Sequence, residues 1–576
     1  MKNVKRLLEL SLFLLMISGV SLIGCSRKPS GSSKSSSTSQ SFSSSSSSSN
    51  KQSSSSSSSL SDSSSSEPSE FPLTLNVKNL YFDIWSGDDT YTKYIEDKFG
   101  IRIKPSSYDY ASWDEMVYMS VNGDNLPDTF HFNLNSLNIG NSYRRWAKEN
   151  ILKPLPDDMS RWPHIERMLS QTSNIEQLKI NGKLYGIPIS NDISNQDIDF
   201  SNFTYVYRRD WAKQIDEMNK DKAGYQPVYR EGDVYTWEEF NRLVAALQAN
   251  MQAVSGTDRA TVLADESWAF PSLTNFFKDS SKCFTKDDNG FAINAFTSDK
   301  YITGLEVSKN FITNGLYSSD QYSFADGKAK DMFVGGLAGI LYDNCSLSNY
   351  ISLRKSVQKN NRNANLDDAT ALLKIKDQNG QFALEGAENW FSMTLFNSRI
   401  SDRKQEKTLD LLDFLLSEEG TRLAIYGLEG YDYLIEDGEV VLVDEAWEKD
   451  VDGHYAPKEN GAKYLRYMVT LGNDTKAFDP YTDMDTYAIL NNWSQEMKAA
   501  KNNGQLRTIK EPADIEWMST RTKDDRNAYL LTDAKQIVAR YCFGRISDIE
   551  SYKAEFGKDP YWQQILVEIN EKLGKS

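Results

Sequence analysis

Few reactive side chains in this 576-residue sequence are spaced like catalytic or metal-binding groups. The three histidines, His131, His164 and His454, form neither an HExxH-type pair nor a Cys/His cluster with zinc-ligand spacing. The part of the chain expected to fold contains no nucleophile-elbow, P-loop or dinucleotide-binding motif. Carboxylates are so common that a glycosidase using two of them stays open. Ligand binding is the better prediction, with no catalytic residue, no cofactor and no metal ion.

Two segments rich in Asp, Asn and Gly could be taken for cation sites. Residues 286–290 and 376–380 both end in Asn-Gly, a dipeptide that suits type I′ hairpin turns. Carboxylates cluster in the first segment, but it lacks the alternating ligands and the distal bidentate glutamate of an EF-hand loop. We predict hairpin turns at both segments, and a bound structural calcium stays open.

Composition favours a binding role and restricts the ligand. The chain has 65 Lys and Arg against 81 Asp and Glu, a net charge of −16, which argues against nucleic acid and polyanionic ligands. The chain has 12 Trp, 30 Tyr and 26 Phe, and some of them must lie in cores. A surplus of aromatic rings is also typical of sugar-binding clefts, because these rings stack on the apolar faces of sugars. Cys283, Cys345 and Cys542 are too few and too scattered for a disulfide framework, so we predict buried thiols.

The amino-terminal segment reads as an export signal followed by a tether. Residues 1–24 have a basic start, an apolar run and a small residue at the end, which is typical of a secretory signal peptide. The sequence LIGC ending at Cys25 resembles the lipobox of bacterial lipoproteins, which implies cleavage before Cys25 and attachment of a diacylglycerol to its thiol. Residues 26–67 are mostly serine and cannot bury enough apolar surface to fold. We therefore predict a lipidated tether over 25–70 that holds the folded part at the outer face of a Gram-positive type of cell membrane.

The elements that must position any ligand site alternate between strand and helix. The run TYTKYIEDKFG has helical spacing, with Asp89 or Thr90 at its start and Gly100 where a C-cap glycine belongs. Capping-box patterns at 112–115 and 236–239 predict two further helices. Strands are predicted at 73–77, 80–84, 101–105, 126–132 and 202–207. This alternation predicts an α/β fold with a mostly parallel sheet.

Later segments continue the pattern. Residues 333–343 read as a buried strand and residues 401–420 as one long amphipathic helix. The carboxyl-terminal region predicts three helices, each of which ends at a glycine.

Several stretches, in order, resemble the extracellular solute-binding proteins of ABC importers, in the oligosaccharide-binding family that includes maltose-binding protein. The stretches are KYIEDKFGIRI, GDNLPDTF, NGKLYGIPI, YVYRRDWAKQI, TWEEFNRLVAAL, FVGGLAGILYDN and TLDLLDFLLSEEGTRLAIYGLEGYDY. They span roughly residues 75 to 435, and the order of the set is more specific than any single piece. The resemblance implies a receptor that does no chemistry on its ligand and delivers it to a membrane permease.

The same resemblance implies a two-lobed periplasmic-binding-protein type II fold with crossing strands at a hinge. We expect a first lobe formed by 71–204 and 388–432, and a second lobe formed by 205–387 and 433–576. Ligand would be held in the cleft between the lobes, and closure would be a hinge motion. We expect the protein to act as a monomer.

The resemblance also implies ligand-binding residues at the strand ends that would face the cleft. For Tyr185 and Asp192, lining the cleft and packing between the lobes are equally consistent with the sequence. The expected ligand-binding residues are Trp85, Ser86, Asp88, Phe132, Asn133, Tyr185, Asp192, Asp265, Trp268, Phe270, Asp343, Asn344 and Trp390.

Other functions stay open at this stage. A peptide receptor of an ABC importer would use acidic side chains for the amino terminus of its ligand. A surface glycoside hydrolase would shorten its glycan rather than release it intact, and a structural adhesin leaves the ordered stretches unexplained. The chain also departs from shorter family members by an insertion at 220–235, which leaves the size of the ligand open.

Overall fold

A computed structural model describes the folded part of the chain. The described residues are 72–575 except 83–84, 110–111, 135–141, 191–199, 258–259, 267–268, 319, 324–326, 361–365, 444–446, 450–454, 458–460, 472–483, 513–514 and 516–525. Among these residues no helix is both long and apolar enough to span a bilayer.

Helices and strands alternate through the first two thirds of the chain. The first group comprises β1 (Leu73–Asn79), α1 (Thr90–Phe99), β2 (Ile101–Ser107), α2 (Trp113–Asn122), β3 (Thr129–Asn133), α3 (Arg144–Lys148), α4 (Pro163–Gln171), α5 (Ile175–Leu178) and β4 (Gly186–Ser190). The second group comprises β5 (Phe203–Tyr207), α6 (Arg209–Asn219), β6 (Val234–Tyr235), α7 (Trp237–Ser255), β7 (Thr261–Asp265), β8 (Phe284–Lys286), β9 (Ala292–Asn294), α8 (Asp299–Thr313), α9 (Lys328–Val334), β10 (Ala338–Asn344), α10 (Leu347–Asn360), α11 (Leu366–Ala369), β11 (Ala371–Ile375) and β12 (Phe382–Glu385).

The last third of the chain returns to the first sheet and then becomes mainly helical. Its elements are β13 (Trp390–Phe396), α12 (Asp402–Leu415), α13 (Glu418–Tyr426), β14 (Tyr433–Glu436), β15 (Glu439–Leu442), β16 (Trp447–Lys449), β17 (Tyr455–Pro457), α14 (Gly461–Arg466), α15 (Met484–Asn502), β18 (Leu506–Ile509), α16 (Arg526–Cys542), α17 (Ile549–Phe556) and α18 (Pro560–Lys572).

The first lobe is built on a five-stranded sheet in the order β2-β1-β3-β13-β4. Strand β1 pairs in parallel with β2 and β3, whereas β13 runs antiparallel to β3 and β4. Gly186 makes the last pairing possible, because a Cβ there would lie 2.4 Å from the carbonyl oxygen of Thr394. The sheet and its helices enclose one continuous apolar core, to which residues from 75 to 469 contribute.

The second lobe is built on another five-stranded sheet, in the order β6-β11-β5-β10-β7. Strand β5 is antiparallel to β10 and β11, while β7 pairs in parallel with β10 and β6 with β11. The insertion at 220–235 ends in the short edge strand β6, so it is part of this sheet. Separate apolar clusters lie on the second lobe, on either side of its sheet and under the carboxyl-terminal helices.

The chain passes between the two sheets three times. The first passage lies between Ser190 and Phe200, and the second lies between β12 and β13, where Phe200 bridges Gly386. The third follows Thr470, which bridges Ser190 at the end of β4. Residues 461–470 thus pack with the first lobe, whereas the sequence prediction assigned everything from 433 onward to the second. The reason is apolar contact, because Ala462, Leu465, Met468 and Val469 complete the core of the first lobe.

The carboxyl-terminal helices share an apolar core with the middle of the chain. Phe543 stacks on Phe270 with ring centroids 5.8 Å apart, and Asn570 Oδ1 accepts a hydrogen bond from the Ala292 amide at 2.7 Å. The three predicted helices form as α16, α17 and α18, with glycines just after them.

The predicted helix caps form where the capping residue has no competing partner, and they fail where another residue binds the capping side chain. Asp89 caps α1 by accepting from the Thr92 amide, and Gly100 ends it at φ 67°. Thr236 and Glu239 form the predicted capping box of α7. At α2, however, the Ser112 side chain makes no cap bond, because its hydroxyl and amide turn toward Asp109.

Three further predictions are corrected by the structure. Residues 333–334 end helix α9, and the strand begins only at Ala338. The predicted single helix at 401–420 is divided after Leu415, because Ser417 caps a new helix by accepting from the Gly420 amide. The Asn-Gly turns are not of type I′.

The two Asn-Gly turns share another geometry. Only their glycines, Gly290 and Gly380, have positive φ, whereas a type I′ turn needs it at both central residues. In each loop an aspartate, Asp287 or Asp377, accepts two backbone hydrogen bonds through Oδ1 and so fixes the turn.

Candidate ligand-binding site at the hinge edges

In each sheet the chain leaves toward the other lobe from one end of the strands. We call these two sets of strand ends the hinge edges. In the first lobe the hinge edge is formed by the ends of β1, β3 and β4 and the start of β13, at Asn79, Asn133, Ser190 and Trp390. In the second lobe it is formed by Phe203, Asp265, Asn344 and Ile375. Polar side chains at such strand ends are the usual ligand contacts of open α/β sheets.

An aromatic cluster lies at the hinge edge of the first lobe. The rings of Tyr81 and Tyr467 are 5.2 Å apart, and Trp85 stacks on Tyr464 at 5.8 Å with an interplanar angle of 10°. Asn79 joins the two halves, since its Oδ1 accepts from the Tyr81 amide and its Nδ2 donates to the Tyr467 carbonyl. Tyr81, Tyr464 and Tyr467 are half-buried. We call these three residues the tyrosine platform.

Trp85 packs against the tyrosine platform through its stacking contact with Tyr464. It is 8% exposed, and its indole N–H donates to Asp89 Oδ2 at 2.7 Å, while Asp89 also caps α1. Ser86 and Asp88, the next predicted contacts, are exposed and joined by a bond from the Asp88 amide to the Ser86 hydroxyl.

The other predicted residues of the first lobe differ in accessibility. Phe132 is fully buried against Trp146, so it serves the core, and Trp390 is nearly buried with its indole N–H donating to the Ser173 carbonyl at 2.7 Å. Asn133 and Tyr185 are half-buried. The structure therefore brings Asn133, rather than Phe132, to an accessible part of the hinge edge.

A neutral histidine lies under the platform. His131 on β3 is 1% exposed and touches Tyr81, with ring centroids 5.8 Å apart, and Trp113 at 4.5 Å. Burial lowers the pKa of His131 to about 3. Its Nδ1 accepts weakly from the Leu80 amide at 3.5 Å, which leaves the proton on Nε2.

Asp265 and Phe270 of the second lobe are turned toward protein groups. Asp265 is fully buried, and its carboxylate accepts from the Ser272 amide and hydroxyl, each at 2.8 Å, and from the Tyr317 hydroxyl at 3.2 Å. Burial raises the pKa of Asp265 to about 7. Phe270 is 5% exposed and packs on Phe543. Both residues shape the segment after β7, and ligand contact by either stays a prediction.

Asp343 and Asn344 lie together at the end of β10. Asp343 is buried and pairs with Lys330 at 3.0 Å, while Asn344 is half-buried and accepts from the Ser346 amide. Lys330 lies in the first turn of helix α9. Glu266, which follows β7, holds the start of this helix in place because it accepts hydrogen bonds from the Gly327 and Lys330 amides. Asn344 is therefore the accessible member of this group.

Three predicted residues lie outside the described part of the chain. These are Asp192 on the first passage, Trp268 after β7, and the lipidation site Cys25.

Sequence reasoning missed the tyrosine platform. Tyr81 lies in the segment 80–84, for which the sequence predicts a strand, but the structure shows a turn at residues 80–81. Tyr464 and Tyr467 have helical i, i+3 spacing in YLRYMVT. The signal was present, but the segment was assigned to the other lobe, so nothing connected it with Tyr81. In the described residues no three metal-binding side chains form a group that could hold an ion.

The two sheets and their helices confirm the predicted α/β fold class, and the fold matches that of solved periplasmic-binding-protein-like solute-binding proteins. The expectation of a mostly parallel sheet is wrong, because each sheet has two parallel and two antiparallel pairings. No protein-family model and no curated protein matches this sequence.

Three solved structures illustrate the likeness. The alginate-binding protein AlgQ2 without calcium ion matches with a TM-score of 0.60 and 15% identity, over 87% of this chain and 98% of that chain. An HMO-binding solute-binding protein from Bifidobacterium longum infantis matches at 0.57 and 14%, over 87% and 98%. An EF-hand mutant of the S. pneumoniae substrate-binding protein FusA, in complex with fructo-nystose, matches at 0.56 and 14%, over 87% and 99%. At these identities the likeness shows a shared fold.

Proposed function

We propose that this protein is an extracellular solute-binding protein that captures an oligosaccharide between its lobes and delivers it to an ABC transporter permease. The observation that carries the proposal is the tyrosine platform at the hinge edge of this fold. Tyrosine rings supply a broad apolar surface with polar rims, which suits the faces and hydroxyls of pyranoses. The proteins of similar fold named above are described as alginate-binding, as HMO-binding, or as being in complex with fructo-nystose.

The charges near the hinge edges support a neutral sugar as ligand. Lys330 pairs with Asp343 at 3.0 Å, and Lys278 pairs with Glu385 at 2.9 Å beside the second passage. Cations already held by carboxylates offer little to a polyanion, and the net charge of −16 repels one. The proposed ligand is therefore a neutral or aminated oligosaccharide rather than a uronate polymer.

The proposed location follows from the amino-terminal sequence. Signal cleavage before Cys25 and attachment of a diacylglycerol would supply two acyl chains, which is what stable anchoring takes. The serine-rich tether would then let the receptor reach its permease without entering the bilayer. Intact-mass measurement of the membrane-extracted protein tests this, since a lipidated chain beginning at Cys25 is the expected species.

The binding proposal is tested by calorimetric titration of residues 70–576 with neutral, aminated and acidic oligosaccharides and with short peptides. Truncating Tyr81 and Tyr467 together to alanine should weaken the binding of the best sugar about tenfold or more, because stacked aromatic contacts dominate such sites. Tyr431→Ala is the matched control, since Tyr431 is 65% exposed and belongs to neither hinge edge.

The outcomes separate the competing functions. Sugar bound and recovered intact, with weaker binding only in the Tyr81/Tyr467 variant, supports the receptor. Shortened sugar in the recovered material would indicate a glycoside hydrolase, and binding of peptides alone would overturn the carbohydrate assignment.

A further inference from the structure

A surface depression of about 310 Å3 lies on the second lobe, where helix α6 meets the 220–235 insertion. The helix supplies three side chains and its C-cap residue a fourth, at positions i, i+3, i+4 and i+7, which share one face. The insertion supplies two tyrosines and a proline. The lining residues are Lys213, Asp216, Glu217, Lys220, Tyr225, Pro227 and Tyr229. None of them belongs to the hinge edges, and we call this depression the outer cup.

Asp216 holds the outer cup in shape. Its Oδ1 accepts from the Tyr225 hydroxyl at 2.6 Å and from the Val228 amide at 2.7 Å, and its Oδ2 accepts from the Tyr229 amide at 3.0 Å. Burial and the hydrogen bond to Asp216 raise the pKa of Tyr225, so its hydroxyl stays a donor. The Tyr225 hydroxyl and the Tyr229 backbone are thus fixed against the helix, and a preformed site loses less conformational entropy when it binds.

The charges that line the outer cup cancel. Two lysines face two carboxylates, and Glu217 pairs with Lys220 at 2.5 Å although both are largely exposed, at 71% and 57% of their side-chain surface. An exposed ion pair of this kind contributes little to stability, so it can break at little cost and both groups can bind a ligand instead. Lys213 is already engaged, with its Nζ 2.5 Å from Asp368 and 5.0 Å from the ring centre of Tyr229.

The combination of groups selects one ligand chemistry. Tyr225, Pro227 and Tyr229 give apolar contact, while Glu217 and Lys220 offer an acceptor and a donor beside it. A balanced charge gives no advantage to anions or cations. A sugar ring has an apolar face and hydroxyls that both donate and accept, and about 310 Å3 is at the small end of ligand sites.

We propose that the outer cup is a second saccharide site that takes one or two rings of a neutral sugar. It goes beyond the proposed function, in which ligand is held only between the lobes. A weak outer site would hold a second part of a long glycan and raise its residence time through effective concentration.

The test is saturation-transfer NMR on the full chain, in a detergent without sugar, with glucose, galactose, N-acetylglucosamine and their di- and trisaccharides. Tyr229→Ala removes the fixed ring and should reduce the outer-cup signal at least fivefold, whereas Tyr229→Phe should restore it. Tyr431→Ala is the control for loss of an exposed tyrosine. Melting temperatures of all variants show that each is folded.

The hinge-edge site is removed separately by the Tyr81→Ala/Tyr467→Ala double variant. A sugar signal that survives in this variant and falls with Tyr229→Ala supports the outer cup. A signal insensitive to Tyr229→Ala, or one abolished entirely by the double variant, overturns it. If the double variant changes no sugar affinity, the proposed platform fails while the result for the outer cup still stands.

Discussion

Asp265 ends strand β7 and is enclosed entirely by protein groups. Its carboxylate serves the Ser272 amide and hydroxyl and the Tyr317 hydroxyl, while Glu266 is next to it and Tyr205 donates to the same Ser272 hydroxyl. Burial outweighs these bonds and raises the pKa of Asp265 from its ordinary 3.8 to about 7. A carboxylate placed at a strand end can thus support the fold rather than a ligand.

Asp265 should make stability depend on pH. Because its pKa is raised in the folded state, the folded protein keeps a proton that the unfolded chain loses between about pH 4 and pH 7. Its contribution is therefore fully present below about pH 4 and lost as the pH rises to about 7. Asp265→Asn mimics the protonated form, so its stability advantage should grow by about 1.4 kcal/mol per pH unit across this window. Denaturant unfolding at several pH values measures the difference.

The control for this prediction is Glu436→Gln, which neutralises an exposed carboxylate of β14. This variant should keep the pH dependence of the unmodified protein. An Asp265→Asn variant with the same pH dependence as the unmodified protein would show that the carboxyl titrates normally.

At the scale of elements, some helix ends are capped by residues next to them in the sequence, and others are capped by residues distant in the sequence. Thr236 and Glu239 satisfy each other's backbone groups at the start of α7, and the sequence pattern alone predicts it. The same pattern at Ser112 fails because Asp109 takes the serine hydroxyl. Helix α4 shows the opposite case, since Asp413 accepts from the His164 and Ile165 amides across 249 and 248 residues.

The two capping patterns form a matched pair of variants. Thr236→Ala should reduce the free energy of unfolding by about 1 kcal/mol, because an amide of the first turn of α7 loses its partner. Ser112→Ala should change it by less than about 0.5 kcal/mol, since no cap bond is lost. Denaturant unfolding of both variants checks this, and equal losses would contradict the cap assignment.

Much of the element pattern could be predicted from sequence, because periodicity and caps are local. The alternation from β1 to β3 and the three final helices are examples. The placement of α14 could not be predicted, since only contacts of Ala462 and Leu465 with the core of the first lobe, which begins at Leu75, decide it. For the same reason the tyrosine platform could not be predicted. The exposed Ser86 and Asp88 and the half-buried Asn133 and Asn344 lie at accessible strand ends, and ligand contact by them stays a prediction.

At the scale of the whole molecule, two sheets are joined by three passages, so rotation of one lobe against the other is the motion that ligand should bias. Electron spin labels on exposed Met119 of the first lobe and exposed Met218 of the second, each replaced by cysteine, can report it. A bound sugar should shift the distance distribution to a shorter or narrower one, as expected of hinge closure. The Tyr81→Ala/Tyr467→Ala variant should show the shift only at higher sugar concentration.

The carboxyl-terminal helices should be indispensable to the second lobe. Removing residues 516–576 would expose Phe270, Phe284, Phe296 and Tyr301, which now share a core with these helices. We expect aggregation and a lost or strongly lowered melting transition, whereas removal of residues 1–69 should leave the melting temperature unchanged. A soluble, cooperatively melting protein without residues 516–576 would contradict the shared core.

The bond between Ala292 and Asn570 has a consequence for how the protein is made. These residues are 278 positions apart, and synthesis at about 5 to 20 residues per second separates them by about 15 to 55 s. The core of the first lobe is likewise incomplete until Leu465 and Val469 have been synthesised. Neither core is complete until these residues, Val469 for the first lobe and Asn570 for the second, have been synthesised. The nascent protein therefore spends most of its production time with unburied aromatic segments, so we expect it to need chaperones while it is being made.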